Sequence, residues 1–388
     1  MQSSLVHISS AYTFAPKLHT LMDEPLQPSR KPLGFWKTVL ATFVGGLTAS
    51  IVFSVLAFFF LLSLLIGSLL SQSAPKTIEE NSVLKINLSS ISELVTEDPW
   101  STFLPSRGEG EQSISLTQAL AAIRKAKAND RIRGIYLNLD SYSGGMASTA
   151  DLRAALLDFR SSGKFVVAYA DSYDQKAYYL SSVADQLILN PEGSVGLVGL
   201  ASSSLFYHQA LEKLGLKAQV FKVGTYKGAV EPFILDQLSE PNREQISVYL
   251  SGLWDFILRE VSASRSIPVD SLRSFADQGL AFSEAETFVR RRLVDTLAYR
   301  LDVEGLIARR AGVSSPKDLH VVTLADLVNA PDPLDATRKS KEDVVTVVYA
   351  EGEIGDNPLS SEGITQELAQ RLRELRQDDK AKAIVLRI

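Results

Sequence analysis

The chain contains no cysteine, so it can form no disulfide framework and offer no thiolate nucleophile or ligand. Histidine is nearly as scarce. His7, His19, His208 and His320 stand far apart with no ligand spacing, which argues against a zinc site and leaves at most His208 for a histidine-based triad. The net charge is −5 over 388 residues, without the basic face that nucleic-acid binding requires. Charge is missing altogether between Thr38 and Pro75.

That uncharged stretch is the first positive feature. Val39 to Leu70 is apolar throughout and far exceeds the ~20 residues that cross a bilayer as a helix. We expect one long, tilted transmembrane anchor over residues 38–72, with Gly45 and Gly46 as places where it could bend or pack closely. A cleaved signal peptide is the rival reading, disfavoured because the run starts late and is too long. Arg30, Lys31 and Lys37 precede the run, whereas Lys76 after it is answered by Glu79 and Glu80. The positive-inside rule then puts a proline-containing tail, residues 1–37, in the cytoplasm and everything after the anchor outside.

At 388 residues the chain has room for two or three domains. VLKINLSS (Val83–Ser90) alternates like a strand, Ser115–Asp130 has helical apolar spacing at Leu116, Leu120, Ile123 and Ala126, and Arg133–Asp140 reads as a buried strand. The same order recurs as a strand at Val344–Ile354, an amphipathic helix at Gly363–Asp379 and a strand at Lys382–Ile388. Asn129–Leu139 aligns with Asp378–Ile388 at one constant offset of 249 positions, matching Asp130, Ile135 and Leu137 to Asp379, Ile384 and Leu386. Chance likeness of two strand–helix–strand units competes with duplication. We expect duplication, with a first repeat at 82–342 and the start of a second at 343–388. The run Ala383–Ile388 is expected to be a core strand of a parallel sheet.

Two segments carry chemistry. After the first repeat's strand, Gly144 and Gly145 open a helix, a geometry that suits either an oxyanion hole or a plain tight turn. Ser141, Ser143 and Ser148 could be nucleophiles in principle, but helix caps and turns are the commoner role of such serines. The second segment is FKVGTYKGAVEPFILDQLS, Phe221–Ser239. Strand-like QVFKV ends at Gly224, and Lys227 follows in small and apolar company. Lysine acts as a general base only when neutral. Its free pKa is about 10.4, and desolvation can lower a buried lysine by up to ~3–5 units. A neutral amine could then take a proton from a serine hydroxyl. An ordinary surface lysine is the competing reading, and Lys222 is the weaker candidate base.

VGTYKGAVEPF with the following DQLSEPNRE resembles the lysine segment of the signal peptide peptidase A (protease IV) family, of the long tandem-domain type. The anchor, GIYLNLDSYSGG, the stretch Gly163–Leu200 and VVYAEGEI agree with that family in order, so the likeness covers nearly everything from residue 80 on. It implies an α/β fold of crotonase/ClpP-like tandem repeats and makes Lys227 the general base of a Ser/Lys dyad. The nucleophilic serine of the family lies in a loop of the second repeat, expected just after Ile388. In the first repeat the matching position is Met146, a thioether that cannot attack a carbonyl. The glycine block Gly193–Gly199 is expected to be structural here.

The likeness further implies a membrane-anchored serine endopeptidase of the inner membrane, acting outside the cytoplasm on leftover signal peptides and other apolar peptides. It implies a homo-oligomer, no metal or organic cofactor, and no nucleic-acid partner. The 388 residues alone are expected to be inactive, as a fragment or split product ending before its nucleophile. A non-catalytic membrane scaffold of the same fold and an acyl-CoA-handling crotonase-type enzyme are the alternatives.

Overall fold

In a computed structural model the described residues are 34–72, 78–94, 113–139, 142–331, 343–355 and 364–388. Contacts divide the chain into two compact units, Met1–Ala74 and Pro75–Ile388. Asp140, Ser141 and residues 1–33 of the N-terminal tail lie outside the described residues.

Among its described residues the first unit holds one helix, α1 (Phe35–Gln72), running unbroken through Gly45 and Gly46. Its segment Phe35–Ser63 has a mean hydropathy of 2.2 and is long and apolar enough to cross a membrane. Two of its threonines bond back to the helix: the hydroxyls of Thr42 and Thr48 donate to the carbonyls of Thr38 and Val44, both at 2.9 Å. Such back-bonding is what a threonine needs inside hydrocarbon.

The second unit begins with β1 (Ser82–Asn87), a short pair β2 (Ile91–Ser92) and β3 (Ile114–Ser115), then α2 (Leu116–Ala128), β4 (Ile132–Asn138) and α3 (Met146–Arg160). It continues through β5 (Phe165–Ala170), α4 (Gln175–Ser181), β6 (Gln186–Leu189), α5 (His208–Lys213), α6 (Glu240–Arg265), α7 (Val269–Asp277) and α8 (Ala285–Arg290). β7 (Thr296–Leu297), α9 (Arg300–Ala311), β8 (Val321–Thr323) and α10 (Leu324–Asn329) follow. The last elements are β9 (Val344–Tyr349), α11 (Gln366–Gln377) and β10 (Ala381–Arg387).

Six strands form one sheet in the order β7-β6-β5-β4-β1-β8, with every pairing parallel. Both faces are covered, so the strands read as nearly continuous apolar runs. Along β4 and β5, Ile135, Leu137, Val166, Ala168 and Ala170 pack with α2, α3, α4 and α6, while Tyr136, Val167 and Tyr169 pack with Val303 and Ile307 of α9. This architecture agrees with the α/β class expected from the sequence. α2 starts where Ser115 and Gln118 form a reciprocal capping box, which satisfies two backbone donors at the helix end. Arg153, 2 % exposed, ties three helices together. It donates to the carbonyls of Tyr179 (2.6 Å) and Glu260 (2.7 Å) and to the hydroxyls of Ser182 and Ser264.

β9, α11 and β10 form a separate βαβ unit with a two-stranded parallel sheet. Here the sequence expectation of a core strand is corrected. β10 forms, but Ile384, Val385 and Leu386 are 37 %, 49 % and 44 % exposed. Strand pairing is a property of the backbone pattern, whereas burial needs layers on both faces, and α11 itself has no buried residue. The expected strand QVFKV is a second correction. Residues 217–223 run without strand pairing, and Phe221 and Val223 are 90 % and 91 % exposed.

Candidate active site

Lys227 stands at the start of a short 3-10 turn, Gly228–Phe233, that follows the bend at Gly224. Gly224 has φ +103°, a conformation that glycine adopts without penalty and other residues rarely take. The Lys227 N–H donates back across this bend to the Gly224 carbonyl at 3.4 Å. The side chain is exposed, and among the described residues its amine makes no hydrogen bond or ion pair. The sheltered setting expected from its apolar neighbours is therefore not present in this chain. Phe221, Val223 and Tyr226 beside it point largely to solvent as well, so apolar sequence company did not become an apolar pocket.

The other lysine of the segment is committed. The Lys222 amine lies 4.0 Å from Oε1 of Glu231, whose side chain is 0 % exposed. Glu231 accepts three hydrogen bonds: from the Ser239 hydroxyl on Oε1 at 2.5 Å, and from the Ser239 N–H at 3.1 Å and the Asn242 side-chain amide at 2.9 Å on Oε2. Burial pushes this carboxyl up. The bonds from Ser239 and Asn242 and the charge of Lys222 outweigh that effect and hold it below the ordinary glutamate value. Ser239 in turn caps α6, so the lysine turn and the α6 N-terminus share one polar knot. A Cβ at position 228 would run into the Asn242 amide, which makes the absence of a side chain at Gly228 a condition of the close approach.

Three further contacts fix the turn. The Tyr207 N–H donates to the Pro232 carbonyl at 2.7 Å, and its ring stacks on Phe233 with centroids 5.9 Å apart. The Tyr226 hydroxyl donates to Glu244 at 3.3 Å. His208, the one histidine that merited attention, faces the Asp236 carboxylate at 3.1 Å and no serine. Sequence reasoning missed Glu231, Ser239 and Asn242. The signal was present in LSEPN, where a serine followed by Pro and Asn reads as a helix start, but nothing in the pattern said that a glutamate would be buried behind it.

The glycine turn before α3 is built differently. Gly145 is the N-cap of α3, Met146 is partly buried against the main core, and Ser143 is exposed. Ser148 is buried, and its hydroxyl donates to Glu93. Glu93 also pairs with Arg387 at 2.5 Å, and Arg387 lies 3.8 Å from Asp151 of α3. The end of β10 is thus tied to the start of α3, next to Met146. Along the strand ends, the glycine block packs backbone on backbone: the Gly196 N–H donates to the Tyr173 carbonyl at 2.7 Å, and the Tyr173 N–H donates to that of Ser194 at 2.9 Å. No cluster of three or more potential metal ligands occurs among the described residues. No hydrogen bond or ion pair joins Lys227 to the glycine turn among them either.

A parallel α/β sheet that carries an anchored lysine turn is the setting, and the match to peptidase family S49 over residues 158–314 contains that turn whole. The chain belongs to peptidase family S49. Protease 4 of Salmonella typhi is 36% identical over 288 residues, covering 71% of this chain and 45% of the relative. The chloroplastic serine protease SPPA of Arabidopsis thaliana is 30% identical over 281 residues, covering 71% of this chain and 41% of the relative. The chain therefore spans less than half the length of these curated relatives. Among solved structures, a membrane-bound stomatin-specific protease in complex with a substrate peptide is similar at 12% identity, with a TM-score of 0.34, over 66% of this chain and 96% of that one. This is a loose likeness.

Proposed function

We propose that this chain carries the lysine half of a Ser/Lys peptidase, with Lys227 as the general base. The observation that carries the reading is the division of labour in one segment: Lys222 is taken up by Glu231, whereas the Lys227 amine has no partner among the described residues, on a turn held from below. A lysine has to be uncharged to accept a proton, so the exposed amine needs a further surface laid over it in the working enzyme. The serine is one borne by the loop that follows the β10 strand in the family pattern. Ser148 is excluded by its engagement with Glu93, and position 146 is a thioether.

The neutral amine takes the serine proton as Oγ bonds to the scissile carbonyl carbon. The resulting ammonium returns that proton to the departing amine as the C–N bond breaks, and water then hydrolyses the acyl-serine by the same route. Positioned general bases contribute about 10²–10⁴-fold. In the whole protein, Lys227→Ala is expected to lose peptide turnover on that scale and Lys222→Ala much less. Full turnover by Lys227→Ala sinks the reading.

We further infer tandem duplication, a membrane anchor and self-association. The two βαβ units skip a residue at matching places, Arg133 in the β1–β4 register and Lys382 in the β9–β10 register, which are 249 positions apart and support a duplication. Residues 1–37 would lie in the cytoplasm and the enzyme outside, beside apolar substrates such as leftover signal peptides. Protection of the tail from protease added to the outside of intact cells would agree, and its cleavage would not. Leu205, Leu214, Phe221, Val223 and Val248, each 67–91 % exposed, supply apolar surface that supports a homo-oligomer. A scaffold without catalysis is the second reading, favoured by Met146. Loss of turnover in Lys227→Ala excludes it.

A further inference from the structure

Around the proposed base, nearly every side chain from Phe221 to Phe233 is exposed or half-buried. Glu231 is the exception, being fully buried. A carboxylate with no exposure is costly unless its oxygens are filled, and here three donors and one lysine converge on it. None of these partners belongs to the sheet. They come from Lys222 before the turn and from Ser239 and Asn242 at the start of α6. The backbone of Glu231 does the same work, its carbonyl accepting from the N–H groups of Ile234 (3.0 Å) and Leu235 (2.8 Å).

We infer that Glu231 is the positioning residue of the lysine turn, its buried carboxylate fastening the segment around Lys227 onto the N-terminus of α6 while holding Lys222 out of competition. The inference rests on the reading of Lys227 as the base. It adds a requirement to that reading: a base on an exposed turn has no fixed place unless the turn is clamped from its own interior. Both oxygens act only as acceptors here, so the side chains differ in what they can replace. Alanine leaves the three donors without a partner. Glutamine can keep the Ser239 N–H and Asn242 bonds through its one oxygen and donate to a rotated Ser239 hydroxyl, but it drops the pair with Lys222.

The test uses the full-length protein. Hydrogen exchange at Tyr207, Ile234 and Leu235 reports the turn, and exchange in β4, β5 and β6 reports the core. In Glu231→Ala the turn amides are expected to exchange roughly tenfold faster or more, the scale of an emptied buried hydrogen-bond site, with the core strands unchanged. Peptide turnover is expected to fall in kcat with KM held, and Glu231→Gln to recover part of both losses. A general destabilisation would instead speed exchange in the core as well. Exchange at the turn within twofold of wild type, or unchanged kcat, overturns the inference. Should Glu231→Ala fail to fold, Asn242→Ala reads the same knot: turn exchange faster by about threefold supports it, and unchanged exchange overturns it. Retained turnover in Lys227→Ala would remove the dyad reading while leaving the exchange result standing. Unaltered turn exchange in Glu231→Ala would remove this inference whichever residue is the base.

Discussion

The two βαβ units of this chain have the same local structure and opposite burial. In β1–α2–β4, Leu84 pairs beside Ile135 and both are 0 % exposed; in β9–α11–β10, Thr346 pairs beside Ile384, which is 37 % exposed. The helices differ likewise: α2 buries Leu116, Ala119, Ala122, Ile123 and Ala126, and α11 buries nothing. The same register, skipped residue and strand–helix–strand order can therefore be had with or without a core. The difference teaches that local pattern builds the unit, and that α3, α4, α6 and the neighbouring strands decide what the first unit contributes to stability.

That contrast can be broken at equivalent positions. Leu137, 1 % exposed, corresponds to Leu386, 44 % exposed. Leu137→Ala should cost about 2–5 kcal/mol, as for other fully buried leucines, and Leu386→Ala within about 0.5 kcal/mol. Chemical denaturation of the two variants decides it, and equal losses would mean that the second unit is as well packed as the first. A smaller effect is expected at the junction. Arg387→Ala removes the pairs with Glu93 and Asp151, and should loosen β9 and β10 by about 0.2–1 kcal/mol without touching β4 or β5. Hydrogen exchange resolved by segment would show this, and uniform loosening of both units would contradict it.

Helix starts sharpen the comparison further. Ser115 forms a full capping box on α2, whereas Thr365 accepts only the Glu367 N–H at 3.3 Å on α11. Ser115→Ala is expected to cost about 1 kcal/mol and Thr365→Ala less, measured as shifts of the thermal midpoint. The mildest expectation concerns the lysine turn, which belongs to neither unit. The folded value of Glu231 is depressed, with Lys222 as the charge facing it. Its contribution is thus fully present above the unfolded glutamate value and is lost as pH falls through the depressed folded one. The turn should keep its exchange protection through neutral and mildly acidic pH and lose it only below the ordinary carboxylate range. Loosening that begins near neutrality would point to a different anchor.

Much of the fold was legible beforehand. β1, α2, β4 and α3 follow from alternation, helical spacing and the glycine pair, all read within a few residues of one another. β9, α11 and β10 were legible on the same terms. What failed were statements about surroundings. Val223 and Phe221 alternate like a strand, yet no strand pairs with them. Ala383–Ile388 is apolar, yet it is not covered. Glu231 lies in a loop between Val230 and Pro232, and its burial depends on Ser239 and Asn242 closing from the next helix. The three residues lie within a dozen positions, but no helical or strand periodicity links them.

By itself, then, the sequence determined the elements: a long apolar helix that can cross a membrane, two strand–helix–strand units offset by 249 positions, and one lysine in a glycine-bounded turn. These depend on interactions among residues a few positions apart, which the chain carries with it. Only the tertiary structure decided which apolar strand is buried, which lysine is paired and which is free, and that a single glutamate fastens the turn. Strand burial is settled by groups distant along the chain, and the pairing of Glu231 by residues 8 and 11 positions on that the turn brings round to it.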